Sequence, residues 1–445
     1  MRGKIGVDMD YVELAKTYKT PLYAYDLAHI TNAFNAIKNA FKARKSLICY
    51  ALKANSNLSI IHHLAQLGSG ADCVSIGEVR RALRAGIPKY KIIFSGVGKS
   101  DSEILEALQS DILFINVESE EELSRVESLA KNIDKVARIS VRVNPNIDPK
   151  THPYISTGLH ENKFGVDIEQ AKAMYIFAKN AKNLEPVGIH FHIGSQLTDL
   201  EPIRQSAQKI AELAHSLLAL KIDLKFFDVG GGIGIRYTNE SLIEPYDYAQ
   251  AILSALYGLD LTIICEPGRF LVGESGVLLT SVLYEKHNGA KRFVIVDAAM
   301  NDLMRPSLYN ATHEVCLAKE AKDTQDPKNI EDSQNSKITQ DSQNLANAPE
   351  SNKSLCDVVG PICESSDFLA KNALLPPLKA GDVLMIKNAG AYGASMASNY
   401  NTRPRPAEVA FMGEDVRIIK HRESLDDIMR DEAELLQNYK DFKCD

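Results

Sequence analysis

Residues 225–234 read Lys225-Phe226-Phe227-Asp228-Val229-Gly230-Gly231-Gly232-Ile233-Gly234, a short apolar run that stops at an acid and three consecutive glycines. A run this short, closed by glycine, reads as a buried β-strand. Consecutive glycines after a strand leave backbone N–H groups able to gather round an anion. The loop lacks the G-x-G-x-x-G register and has no acid placed to meet a ribose, so it suits one phosphate better than a dinucleotide.

Seven further runs of this kind flank it: Ser46–Tyr50, Ala71–Val74, Lys91–Phe94, Ile112–Val117, Arg138–Val143, Val187–Phe191 and Leu261–Cys265. Stretches of helical period separate them, among them Leu58–Leu67, Gly77–Ala85, Ser119–Ala130, Ile168–Lys179 and Ile203–Leu218. Strict βα alternation implies a parallel sheet with right-handed crossovers, and eight units predict a (βα)8 TIM-type barrel over residues 23–270. An open doubly wound sheet is the alternative; the conspicuously polar residues that follow the strands favour the barrel, which binds ligands at that end.

Past residue 270 the pattern changes. Gly276–Tyr284, Phe293–Asp297, Asp357–Val359 and Val383–Lys387 look like strands without regular helices between them. Residues 271–445 therefore read as a β-rich domain, sandwich-like or barrel-like, with C-terminal helices, and residues 1–22 are expected to pack on it. Residues 318–354 are poor in apolar groups and contain Asp-Ser-Gln-Asn twice, so this segment is expected to be a disordered surface insertion.

The net charge of -7 offers no basic excess for a phosphate backbone or an acidic membrane, so neither nucleic acid nor membrane is an expected partner. No apolar stretch is long enough to span a bilayer, and MRGKIGVDMD lacks a secretion signal, which points to the cytoplasm. The seven cysteines form no C-x-x-C pair, so no disulfide framework or metal site is expected.

The strand ends carry the chemistry. The first runs into Ala51-Leu52-Lys53-Ala54-Asn55, placing an amine where burial can lower its pKa and make it a Schiff-base nucleophile. By itself, Lys53 equally describes a solvated lysine. The sixth ends in His190-Phe191-His192-Ile193-Gly194-Ser195, offering an imidazole that can lie against a flat ring and a hydroxyl suited to phosphate. Alone, His192 equally suits the core. The eighth ends in Glu266-Pro267-Gly268-Arg269, and a carboxylate beside a pyridine nitrogen keeps that nitrogen protonated. A lysine, a stacking histidine, a phosphate loop and that carboxylate together point to pyridoxal phosphate. Asp72 and Arg142, on the second and fifth strands, are further candidates for the cofactor site.

Tyr50-Ala51-Leu52-Lys53-Ala54-Asn55, His192-Ile193-Gly194-Ser195, Gly230–Gly232, Glu266-Pro267-Gly268-Arg269, Arg305-Pro306-x-x-Tyr309, Cys363-Glu364-Ser365 and Gly390-Ala391-Tyr392-Gly393 resemble the diaminopimelate decarboxylases, group IV decarboxylases of alanine-racemase-like fold (fold type III). The resemblance runs in the same order over nearly the whole chain, excepting the insertion. It implies that Lys53 bonds the cofactor, His192 stacks on its ring and Glu266 pairs with the pyridine nitrogen. Ser195, Gly230, Gly231, Gly232, Pro267, Gly268, Arg269 and Tyr392 would line the cofactor and its phosphate. Arg269, Arg305, Tyr309 and Tyr392 would bind substrate, Glu364 would meet the distal ammonium of meso-diaminopimelate, and Cys363 would return a proton. It further implies a homodimer in which Cys363 and Glu364 complete the neighbour's site.

Two alternatives stand beside this. An ornithine- or arginine-type decarboxylase of the same fold would carry Asp rather than Glu after the cysteine, and a non-catalytic regulatory homologue would not need Lys53 and Cys363.

Overall fold

The computed structural model describes residues 9–148, 163–318 and 352–439. The chain divides into two compact units, His29–Glu274 and Met1–Ala28 with Ser275–Asp445. The predicted boundaries at 22/23 and 270/271 compare with divisions at 28/29 and 274/275. The first strand, β1 (Leu22–Asp26), lies in the sheet of the second unit, where it pairs with residues from far along the chain.

In the unit His29–Glu274 all eight anticipated runs are strands: β2 (Ser46–Ala51), β3 (Gly70–Cys73), β4 (Ile92–Phe94), β5 (Phe114–Val117), β6 (Ala137–Arg142), β7 (Leu184–His190), β8 (Phe226–Asp228) and β9 (Thr262–Cys265). They form a closed parallel barrel, with β9 returning to β2 through Ser46↔Ile263 and Ile48↔Cys265. Closure removes the edge that an open sheet would leave. Inside, Cys49, Ile93, Phe114, Val187 and Ile264 come from five strands and pack together, so the barrel is filled rather than hollow.

Local chemistry sets the helices around it. Ser75, Ser119 and Asp167 each accept a hydrogen bond from the third residue onward and so cap the helices Ile76–Arg84, Glu120–Asn132 and Ile168–Asn180. Ser100 and Glu103 form a reciprocal capping box on the helix Asp101–Ser110. Each such cap contributes about 1 kcal/mol, and together they fix where the strand-to-helix turns stop.

The second unit is mainly strand. Its strands are β1, β10 (Gly276–Asn288), β11 (Lys291–Val296), β12 (Val315–Leu317), β13 (Ser354–Val359), β14 (Phe368–Leu375), β15 (Val383–Ile386), β16 (Ala407–Met412) and β17 (Asp415–Lys420). They form one nine-stranded sheet in the order β14-β13-β11-β10-β1-β16-β17, with β15 joining β10 to β12. The N-terminal helix Tyr11–Tyr18 buries Leu14 and Ala15 against Leu22, Leu279 and Val409 of this sheet. A helix, Leu425–Tyr439, follows the last strand. The expected disordered insertion lies almost wholly outside the described residues. No helix among the described residues is long and apolar enough to cross a membrane.

Candidate active site

In the barrel unit, the polar strand ends converge as the sequence suggests. Lys53 sits in a single turn, Leu52–Ala54, directly after β2, and its Nζ lies 3.1 Å from Oδ2 of Asp72. The Asp72 side chain is fully buried. Burial and the neighbouring Glu266 push its carboxyl up, while Lys53 opposes them.

Arg142 closes β6 and is buried, 3.5 Å from Glu118 and 4.7 Å above the ring of Phe164. Glu118 also accepts the Gly165 N–H at 3.0 Å, which ties the chain after β6 to the end of β5.

His192 follows β7, and its Nδ1 accepts the Gly231 N–H at 3.1 Å, which leaves the ring proton on Nε2. Desolvation first, then the charges of Arg142 and Lys53, hold this imidazole well below its usual range. It is therefore neutral, as suits a ring that stacks on another ring.

The glycine loop is built by necessity. Gly230 has φ +64°, and a Cβ on Gly231 would lie 2.1 Å from the carbonyl oxygen of Glu266. The sequence predicts free amides here, yet Gly230 N–H donates to Asp228 Oδ1 at 2.9 Å and Gly231 N–H to His192. Two of the three amides thus hold the loop's own shape.

Glu266 is buried just past β9, with Oε2 3.4 Å from His190 Nε2 and, among the described residues, no hydrogen-bond partner on Oε1. Burial pushes its carboxyl up, but His190, Lys53 and Asp228 outweigh it and hold it below the usual range. The Pro267 carbonyl accepts from Ala51 N–H, stitching this turn to the strand that carries Lys53. Arg269 donates to Ser195 Oγ at 3.0 Å and to Tyr237 Oη at 2.7 Å.

The remaining sequence candidates belong to the second unit. Arg305 begins the short helix Arg305–Tyr309 and is buried, with Nη1 2.8 Å from His313 Nε2; His313 Nδ1 donates to the Lys387 carbonyl. Tyr309 ends that helix and is half-buried. Ser307 Oγ donates to the Ser366 carbonyl at 2.6 Å, which fixes the helix beside the turn holding Cys363 and Glu364. Cys363 is exposed, and its N–H donates to Asn401 Oδ1. The Glu364 carboxylate is exposed and accepts from Ser366 Oγ and Tyr400 Oη, which hold it below the usual carboxylate range. Tyr392 is half-buried in the left-handed backbone region, φ 57°.

Sequence reasoning missed His190, Asp228, Glu118, Tyr237, His313, Ser366 and Tyr400. His190 and Asp228 occupy the ends of apolar strands where an inward-pointing polar residue leaves no periodic signal. The others are brought in by loops or by distant elements.

A barrel with a lysine paired to a buried carboxylate, a neutral histidine and a buried carboxylate oxygen that no N–H among the described residues meets defines a cofactor-dependent class. The sequence model described as "Pyridoxal-dependent decarboxylase, pyridoxal binding domain" matches residues 27–273, over half of the chain. Diaminopimelate decarboxylase of Helicobacter pylori strain J99 is 58% identical over 428 residues, covering 96% of this chain and 99% of the relative. That of Campylobacter jejuni is 55% identical over 430 residues, covering 96% and 100%. The crystal structure of the Helicobacter pylori enzyme complexed with L-lysine superposes with a TM-score of 0.86 at 57% identity, covering 95% of this chain and 99% of that one. The chain belongs to the diaminopimelate decarboxylase family.

Proposed function

We propose that the chain decarboxylates meso-2,6-diaminopimelate to L-lysine and carbon dioxide with pyridoxal 5'-phosphate as cofactor. The observation that carries this is Glu266 Oε1, a buried acceptor on a carboxyl held below its usual range, for which no N–H donor stands among the described residues. A pyridinium N–H is such a donor, and the neutral His192 and the amine of Lys53 lie within electrostatic reach of the same carboxylate. The residues present fit the group.

Bound there, pyridoxal phosphate supplies the electron sink for the pair left behind when carbon dioxide departs. Lys53 contributes the amine that bonds it, with Asp72 as counter-charge. Ser195, Gly230–Gly232, Gly268 and Tyr392 are assigned to its phosphate, Pro267 and Arg142 to its surroundings. Arg305, Tyr309 and Arg269 are assigned to the carboxylate that is kept, because a guanidinium fork matches a carboxylate bidentately. Glu364, ionised by its two hydroxyl donors, receives the distal ammonium, and the Cys363 thiol delivers a proton to the carbon that lost its carboxylate. The active unit is assigned as a homodimer whose sites are shared, working in the cytoplasm. Glu rather than Asp after Cys363 argues against the ornithine- or arginine-type alternative.

Reduction of the purified holoenzyme with borohydride, followed by peptide mass mapping, tests the assignment. The reduced cofactor is expected on Lys53; attachment at another lysine, or none, contradicts it.

A further inference from the structure

The last three barrel strands each deliver a buried ionisable side chain to one place: His190 closes β7, Asp228 closes β8 and Glu266 follows β9. Register sets them side by side, with His190 level with Asp228 and Asp228 level with Ile264. One ligand-type atom from each lies within 4.8 Å of the others.

The two oxygens of Asp228 differ. Oδ1 accepts the Gly230 N–H at 2.9 Å, whereas no hydrogen-bond donor among the described residues faces Oδ2. Gly230 in turn accepts from the Glu266 N–H at 2.7 Å, so Asp228 and Glu266 grip the same glycine from both sides.

Their neighbours separate the carboxylates. Asp72 has Lys53 at 3.1 Å, and Glu266 has the His190 imidazole at 3.4 Å. Among the described residues Asp228 makes no ion pair, and it stands beside Glu266. Two carboxylates this close in a site closed to water do not both ionise; one proton stays with the pair.

We infer that Asp228 is a positioning residue that carries a proton on Oδ2 and, as a neutral carboxylic acid, keeps Glu266 the ionised partner for the pyridine nitrogen. The inference rests on the functional reading above. Burial first, and the Glu266 charge second, push the Asp228 carboxyl well above the usual carboxylate range, in keeping with this division of one proton. Asp228 thereby serves both ends of the cofactor, shaping the glycine loop through Oδ1 and setting the charge at Glu266 through Oδ2.

Infrared spectroscopy of the holoenzyme near neutral pH tests this. With 13C-carboxyl aspartate incorporated, the wild-type-minus-Asp228→Asn difference spectrum is expected to show the carbonyl stretch of a buried protonated aspartic acid, which separates it from Asp302, whose carboxyl burial also pushes up to about 7. Asn can still accept from Gly230 and donate to Glu266, whereas Leu can do neither. Pyridoxal phosphate is therefore expected to bind Asp228→Asn at least about tenfold more tightly than Asp228→Leu, the scale of a lost charge-assisted hydrogen bond. Absence of the aspartic acid band from that difference spectrum, equal affinities of the two variants, or a stoichiometric metal ion on the trio each overturns the proposal. If Asp228→Leu does not fold, the band in wild type against Asp228→Asn decides alone. Failure of the wild type to bind pyridoxal phosphate would instead refute the functional reading, and the band, read on the same chain, would report separately on the shared proton.

Discussion

Nζ of Lys53 lies 3.1 Å from Oδ2 of Asp72, a carboxylate with no solvent access that pairs with an amine still two-fifths exposed. The acid comes from β3 and the amine from the turn after β2, so one step round the barrel sets the pair. Lys53→Ala is expected to abolish both the cofactor's visible absorbance and carbon dioxide release. Asp72→Asn is expected to retain the cofactor but lower kcat by about tenfold or more, since an amine losing a buried counter-charge is misplaced by fractions of an ångström. Steady-state rates and the absorbance of each variant check this.

Glu364 is the group whose charge is most open to titration experiments. Hydroxyl donors Ser366 and Tyr400 hold its carboxyl below the usual range, so it keeps its charge to lower pH than an ordinary glutamate. Removing either donor moves the protonation step upward. The acid limb of kcat/KM for diaminopimelate is therefore expected to shift to higher pH in Tyr400→Phe and in Ser366→Ala. A limb that stays in place assigns it to another group.

The buried guanidinium of Arg305 is aimed by His313, which is itself fixed by the Lys387 carbonyl. Arg305→Lys keeps the charge and loses the fork. A loss of about 10- to 100-fold in kcat/KM is expected, with cofactor affinity little changed. Titration of the cofactor alongside the kinetics separates the two.

At Gly231 the obstacle is backbone, not a movable side chain, because a Cβ would lie 2.1 Å from the Glu266 carbonyl oxygen. Gly231→Ala is expected to cost about 1–3 kcal/mol of stability and to displace the loop that carries the phosphate. Thermal melting with and without pyridoxal phosphate measures both effects: a lower melting temperature and a smaller stabilisation by the cofactor.

The barrel was legible in the sequence because each strand is a short apolar run that stops at glycine or a polar residue. Between two of these strands the helix Asp101–Ser110 is marked by its Ser100/Glu103 box. Leu22–Asp26 reads locally as the start of the barrel; only its pairing with β10 and β16, hundreds of residues away, places it in the other sheet. The site divides in the same way. Lys53, His192 and Glu266 stand where a strand ends, so position announces them. His190 and Asp228 point inward from within apolar runs, and Tyr400 reaches Glu364 across 36 positions, so no local pattern marks them.

Cys363 and Glu364 lie far along the chain from Lys53, which motivates the shared-site assignment. Mixing inactive Lys53→Ala with inactive Cys363→Ala should rebuild some intact sites. Random exchange gives half heterodimers with one intact site each, so up to about a quarter of wild-type activity is expected. No recovery, once differently tagged chains are shown to exchange, would place both residues of each site on one chain.

The most direct measurement is carbon dioxide and lysine release by the purified chain, supplied with pyridoxal phosphate and offered meso-diaminopimelate, L-ornithine, L-arginine and L-lysine in parallel. Equimolar carbon dioxide and L-lysine from meso-diaminopimelate are expected, with kcat/KM for the other three lower by about a hundredfold or more, the penalty of leaving a buried arginine without its carboxylate. A preference for ornithine, arginine or lysine, or no turnover of any of the four by a chain that holds the cofactor, would contradict the account.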